Sequence, residues 1–456
     1  MTLVVDRNKV LLQEPEVRYK QCAPVVVMLA VLYVIPGLVS GVMLGLALYA
    51  WRGAKESIQS LTVMFIVLNL NAGIYPFWGQ GASLRWLVLF SAFGRVFWDG
   101  VLSNAKWPFQ WSAVLSLYAS VVAVLGFLMS RVPAISVFKV VAFFLGAITI
   151  VTCFYRTREL KAYWLSWFFS MFLVVLALSL PFYFLPAGFF VNGRGFQGIL
   201  NHPQTFGPVM APITAGLTLL LIQRGKRSPI LIAAICGGLF SIYASQSRTA
   251  LLMYVTSLLV AYGFMFFRGQ QLKSWKSRPI VSAGFKLIGL VCVSILLVLS
   301  GERVVEASEG FLLKKSENEE SLSFQVRASM MSRQMENFKA HPLTGIGFGV
   351  PSNTDDWISL STGFLGIPTG FPVEKGFLPS AALEETGIIG AGLLLVLFFC
   401  LLGGVFRRGQ LPVITIMLAC LLANTGEMVF FSFGGSGLYY WLLIGYCYNH
   451  VIPCVE

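Results

Sequence analysis

Charge is scarce along this 456-residue chain: Asp, Glu, Lys and Arg make up only 12% of it, about half the roughly 25% of a soluble domain. That scarcity argues against an ordinary water-soluble fold. Histidine is rarer still, with only His202, His341 and His450, which disfavours a His-rich catalytic metal centre. None of the eight Cys forms a Cys-x-x-Cys pair and none lies in the long hydrophilic stretch 301–380, so a thiolate zinc site and a disulfide framework are disfavoured as well. The residues through Cys22 are mixed in charge and lack a small-residue cleavage site after a short apolar core, so no removable signal peptide is expected. No internal repeat and no low-complexity linker divides the chain. One domain, 1–456, is expected.

What the chain has in abundance is hydrocarbon, with 57% hydrophobic residues, 38 Phe and 11 Trp. Membrane spans need about 20 apolar residues each, and runs such as Ser57 to Gly79, Phe109 to Met129, Val132 to Tyr155, Ala162 to Phe184, Ile280 to Ser300, Ile388 to Phe406 and Gly437 to Val451 meet that need. The expected fold is all-α, a polytopic membrane protein of about 12 to 14 spanning helices. Two stretches stay open. Pro36-Gly37 inside the run Pro24 to Trp51 either kinks one helix or breaks it into a pair, and Ser83 to Leu102, with Arg85, Arg95 and Asp99, either spans or does not.

Lys and Arg in short loops mark the cytoplasmic side. Arg156/Arg158/Lys161, Arg224/Lys226/Arg227, Arg268/Lys273/Lys276/Arg278 and Arg407/Arg408 place twelve cations in four loops against one acid, Glu159. The alternate connections, Leu185 to Pro203, Ser245 to Arg248, Gly301 to Ser380 and Phe431 to Ser436, then share the outer face. The net charge of +13 is read as orientation and attraction to anionic lipid, not nucleic-acid binding.

The stretch 301–380 holds ten of the twenty acidic residues and is tied to the membrane at both ends, which suits a substrate carried on a lipid. Within it, Phe324, Met331, Met335 and Phe338 recur at helical spacing with Arg327, Arg333 and Lys339 between them, predicting an amphipathic helix over Ser321 to Ala340 at the interface. His341-Pro342 ends that helix, and Gly345, Gly347 and Gly349 allow a tight path. Glu384 and Glu385 read as opening the next apolar helix, favoured there by its dipole.

Arg194, in Asn192-Gly193-Arg194-Gly195, and Arg248, in Ser245-Gln246-Ser247-Arg248-Thr249, sit at outer ends of apolar runs among polar neighbours, including Asn201, His202 and Gln204. A guanidinium offers a rigid donor fork that fits phosphate oxygens, and two or three such groups suit a diphosphate. The bland alternative is that each Arg snorkels to the headgroups. For His341 and His202 the bland alternatives are a helix end and a helix start, and for Glu374 and Lys375 a solvated ion pair.

His341-Pro342-Leu343-Thr344-Gly345-Ile346-Gly347-Phe348-Gly349 followed by Leu383-Glu384-Glu385-Thr386-Gly387-Ile388-Ile389-Gly390 resembles the C-terminal signature of the O-antigen ligase and Wzy-type polymerase superfamily. Arg194-Gly195 and Ser245-Gln246-Ser247-Arg248-Thr249-Ala250 resemble its two outer Arg motifs, so the likeness runs from about Val191 to Gly392. It implies an inverting, metal-independent glycosyltransferase with no cofactor, in the bacterial inner membrane with the 301–380 loop extracytoplasmic. The implied donor is a glycan on polyprenyl diphosphate and the acceptor a glycan or lipid-linked hydroxyl, with membrane lipids and other polysaccharide assembly and export proteins as further partners. Arg194 and Arg248 would hold the diphosphate, with Arg327 or Arg333 as a third donor, and Asn201, His202, Gln204 and Lys375 would line the substrate.

The chain departs from that pattern at one place. Ligases of the family carry a His about eleven residues before the Gly of Glu-Thr-Gly, and here that position is Gly376 with no His near it. Glu374, or His341, is left as the base. The departure favours repeat-unit polymerisation over transfer to lipid A core. A lipid-linked oligosaccharide flippase is the rival from another class, disfavoured by the lack of a repeat and by charges that cluster at helix ends.

Overall fold

The computed structural model describes residues 14–76, 83–102, 107–191, 193–224, 228–267, 320–353, 361–362, 368–370 and 375–451. The run Ile280 to Ser300, the loop Arg268 to Arg278 and Glu374 lie outside the described residues. Among the described residues the chain is helical apart from one small antiparallel strand pair, Ser361–Thr362 with Pro368–Gly370. It forms α1 (Tyr19–Val34), α2 (Val39–Ala50), α3 (Ala54–Leu68), α4 (Arg85–Leu102), α5 (Phe109–Met129), α6 (Pro133–Arg156), α7 (Lys161–Ser179), α8 (Pro203–Arg224), α9 (Pro229–Ala244), α10 (Arg248–Phe267), α11 (Glu320–Ala340), α12 (Leu378–Arg408), α13 (Leu411–Leu422) and α14 (Gly437–Val451). Among the described residues five helical stretches are long and apolar enough to cross a bilayer. The protein is a multi-pass helical membrane protein.

Contacts between distant residues sort the helix ends onto two faces. On one, the Lys161 ammonium donates to His450 O (3.0 Å), Arg156 Nη1 donates to Val96 O (2.8 Å), and Arg18 lies over the Tyr163 ring (4.3 Å). The opposite face carries Arg85 Nη1 donating to Gly434 O (3.1 Å), Asn71 N to Ile199 O (2.8 Å), Phe196 N to Ala244 O (2.9 Å) and Arg131 N to Ile346 O (3.2 Å). This second side is the loop face.

Both open stretches resolve on these contacts. α4 starts at the loop face through Arg85, and at its other end Asp99 pairs with Arg95 (2.8 Å) and lies 3.6 Å from Arg156. It therefore runs from face to face, its acid and bases compensating one another. Pro36-Gly37 breaks the first run into a hairpin, because Ile35 leaves helical geometry (φ −128, ψ 79) and the chain reverses. Gln21, at the start of α1, accepts from Tyr163 Oη (3.1 Å), while Tyr49, near the end of α2, donates to Gln59, which itself donates to that same Tyr163 Oη (2.6 Å). Between those ends, Tyr33 stacks edge-on against Tyr75 at the loop face.

Two other expectations are corrected. The helix predicted from Ser321 to Ala340 is present as α11, but its protein-facing side is mixed: Gln334 is buried beside half-buried Met335, Asn337 and Phe338, while Met331 is 47% exposed. The apolar run expected to open at Ile388 does open there, but α12 is two helices, 378–386 and 388–408, meeting at the non-helical Gly387 (φ 62, ψ −168). Glu384 and Glu385 consequently do not open a helix near its dipole; they are buried just before that bend.

Candidate functional site

The Arg194 segment is held in place by amides buried beneath it. Gln197, fully buried, accepts from Val191 N (3.0 Å) and donates to Leu200 O (3.2 Å) and Asn201 O (3.3 Å), closing the loop on itself. Asn71, just beyond the end of α3, ties that loop down by donating to Ala187 O (2.7 Å) and Gly198 O (2.9 Å). Buried amides need such partners, and here they fix the path that leads from the 3-10 turns Leu180–Phe184 and Pro186–Phe189 after α7 to the start of α8. Arg194 and Arg248 are both exposed at the surface of this arrangement.

The two Arg motifs meet. The bond from Phe196 N to Ala244 O joins the first loop to the end of α9, and Ser247 Oγ donates to Gln204 Oε1 (2.9 Å). A Cβ on Gly195 would stand 2.9 Å from Ser245 O, so the segments are in backbone contact. His202 starts α8, its Nδ1 accepting from Gln204 N (3.0 Å), and Asn201 N donates to Asn69 O (2.7 Å). Asn201, His202 and Gln204 thus brace the Arg segments against α3 and α10.

The second group is built from the two glycine-rich motifs, which pair with each other. Ile346 N donates to Glu384 O (2.9 Å) and Gly347 N to Glu385 O (3.1 Å), while Ile388 N donates to Pro342 O (2.9 Å) and Ile389 N to Leu343 O (3.4 Å). The bend at Gly387 would otherwise orphan these carbonyls and amides, and the 342–347 segment supplies every one of the four partners. Gly345 (φ +71) and Gly387 (φ +62) are left-handed, and a Cβ on either would collide with the backbone of the facing segment. Only glycine fits both demands.

Beneath that pairing lies a buried charge cluster. Glu384, 0% exposed, accepts from Asn337 Nδ2 (2.7 Å) on α11, Ser352 Oγ (2.9 Å) and Lys375 Nζ (2.9 Å). Glu385 lies 3.2 Å from the same ammonium, with neither carboxylate oxygen otherwise hydrogen-bonded. The expected surface role of Lys375 is therefore corrected: its side chain is 3% exposed and pairs with two carboxylates instead of facing solvent, Lys139 being a second cation facing Glu385. His341 is exposed and its N–H closes the end of α11 on Asn337 O (3.1 Å) and Phe338 O (3.2 Å). Arg333 is exposed on α11, while the side chain of Arg327 lies outside the described residues. The chain between α13 and α14 joins the two groups: a Cβ on Gly426 would meet Thr249, and Phe431 stacks edge-on against Phe348 (4.8 Å).

Residues 231–368 match the family model described as O-antigen ligase. Over that stretch the chain is similar to the O-antigen ligases. That match begins in α9 and ends at the second strand, taking in the Arg248 turn, α11 and the 341–349 segment. The O-antigen ligase likeness read from the motifs extends further at both ends, to Arg194 and to Glu384–Gly387. Sequence reasoning missed Gln197, Asn71 and Asn337, whose only signal is an amide set in an apolar or glycine-rich context. Among the described residues no group of His, Cys, Asp and Glu has the makings of a metal site.

Proposed function

We propose that the protein polymerises O-antigen or exopolysaccharide repeat units by moving a glycan from polyprenyl diphosphate to an acceptor hydroxyl, with inversion and without a metal, at the extracytoplasmic face of the inner membrane. The observation that carries this reading is the contact of the Arg194 and Arg248 segments on the face that also bears the family's loop. The whole chain acts as one membrane domain, and 301–380 is its extracytoplasmic insertion.

In the reaction the bond between the sugar C1 and the phosphate oxygen breaks, its electron pair leaving with the diphosphate. The acceptor oxygen forms the new bond to C1 from the opposite side, and its proton passes to a carboxylate. Diphosphate is a competent leaving group, so the protein's work is to hold it, stabilise the charge that develops and aim the hydroxyl. Arg194 and Arg248 supply fixed donors for the first two tasks, with Arg333 or Arg327 as a third, and Glu374 takes the proton. The absence of a His near Gly376 is what favours a repeat unit over lipid A core as acceptor.

The test is purified protein with polyprenyl-diphosphate-linked repeat units, in chelator. Free polyprenyl diphosphate and a lengthened glycan of inverted anomeric configuration are expected; translocation without bond cleavage, retained configuration, or transfer only to lipid A core would each refute the corresponding part.

A further inference from the structure

We propose that Arg131, in the short turn between α5 and α6, is the station for a second diphosphate, that of the acceptor's own polyprenyl carrier. The proposal rests on the reading that the acceptor is a lipid-linked repeat unit. In that reaction two molecules on polyprenyl diphosphate meet. The donor's diphosphate is bonded to the reacting C1, whereas the acceptor's lies a whole glycan away from the attacking hydroxyl. The acceptor therefore needs its own cation at the outer face, set apart from Arg194 and Arg248. Because a diphosphate joins a hydrocarbon tail to a glycan, that cation belongs where a lipid-facing helix reaches the surface.

Arg131 meets both conditions. Its N–H donates to Ile346 O (3.2 Å) on the loop face, and the turn that carries it is braced: Ser130 Oγ bonds Ser136 Oγ (2.7 Å) and accepts from Val132 N (3.1 Å). A Cβ on Gly347 would collide with Ser130 Oγ, so turn and motif are in contact. Just before the turn, Phe127, Leu128 and Met129 are each more than half exposed, a lipid-facing wall at the end of α5. The Arg194 and Arg248 segments have a wall of their own in Phe184, Phe190 and Tyr243, exposed to the same degree. From one station to the other the contacts run Thr249 to Gly426, Phe431 to Phe348 and Ile346 to Arg131, through the 341–349 segment. The remaining outer-face cations are engaged or lie elsewhere. Arg85 donates to Gly434 O (3.1 Å) and Lys375 pairs with Glu384 and Glu385. Lys139 faces Glu385 as the second cation of that cluster, its ammonium over the Phe348 ring (5.6 Å). Arg333 and Lys339 are on α11 and not at the end of a spanning helix. The Arg131 guanidinium is exposed and makes no hydrogen bond or ion pair among the described residues, which leaves its donor fork for phosphate oxygens.

The experiment gives each lipid-linked molecule one part to play, in full-length purified protein. The donor has its own attacking hydroxyl methylated, so it cannot accept; the acceptor has a CH2 in place of the oxygen between C1 and phosphorus, so it cannot donate. A second acceptor carries the same glycan on an uncharged alkyl chain. Loss of a charge-assisted hydrogen bond costs about tenfold or more in affinity. Arg131→Gln should therefore raise KM for the diphosphate acceptor about tenfold or more, with kcat, donor KM and KM for the alkyl acceptor each within about twofold of wild type. Arg131→Lys should fall between the two, and Arg131→Met carries the same expectation as Arg131→Gln if the latter does not accumulate in the membrane. An unchanged KM for the diphosphate acceptor, or an equal rise for both acceptors, overturns the station while wild-type polymerisation stands. Wild-type protein that transfers to lipid A core and not to the lipid-linked repeat unit overturns the polymerase reading, and the station with it.

Discussion

At the residue scale the account turns on guanidinium geometry and on one buried ion cluster. Arg194→Lys and Arg248→Lys keep the charge but lose the planar fork that engages two phosphate oxygens, so each should recover little of the activity lost in the alanine variants. Steady-state turnover with lipid-linked donor reads this directly, and full activity of the lysine variants would reduce both residues to point charges. Glu384→Leu strips partners from Asn337, Ser352 and Lys375 at once. Breaking a buried pair on one side costs about 3–5 kcal/mol, which thermal unfolding in detergent should register as a large loss. The exposed Arg residues were legible in the sequence because a charge at the end of an apolar run stands out. Lys375 was not: its neighbour Glu374 suggested a local pair, while its true partners lie nine and ten residues on, beyond a helix start that the apolar run did not reveal.

Among the elements, the pairing of 342–347 with 384–389 decides the most. Each motif alone reads as a flexible glycine stretch, and only together do they account for the donors and acceptors freed by the bend at Gly387. Gly345→Ala and Gly387→Ala each place a Cβ into facing backbone at a left-handed position. The conformational strain alone is about 1–2 kcal/mol, and the collision adds to it. Both variants should unfold at lower temperature and lose activity, whereas Gly392→Ala, in α12 with open space around it, should match the wild type. The existence of α11 followed from its spacing. Its buried face did not, because Gln334 and Asn337 are chosen for partners on other elements and leave no periodic trace.

For the whole molecule, the positive-inside pattern anticipated the sorting of loops: 156–161, 224 and 407–408 fall on one face and 193–204, 245–249 and 341–350 on the other. It could not place α4, where Arg85 and Arg95 confuse a count of cations, until Asp99 and Arg156 were seen side by side. Single cysteines at positions 193 and 246, in a protein otherwise free of cysteine, should react with an impermeant thiol reagent from outside the cell, and one at position 158 should not. The opposite pattern would invert the membrane orientation. Nothing in the sequence reports that the loops at 195 and 245 touch, since that depends on one backbone bond between segments about fifty residues apart in the chain. A double-mutant cycle on donor affinity tests whether that contact builds a single binding site. Using Arg194→Ala, Arg248→Ala and their combination with purified protein and lipid-linked glycan, one shared diphosphate site predicts that each single change removes most of the affinity and that the double change costs clearly less than their sum. Strictly additive losses, or near-normal donor binding and turnover in both single variants, would contradict it.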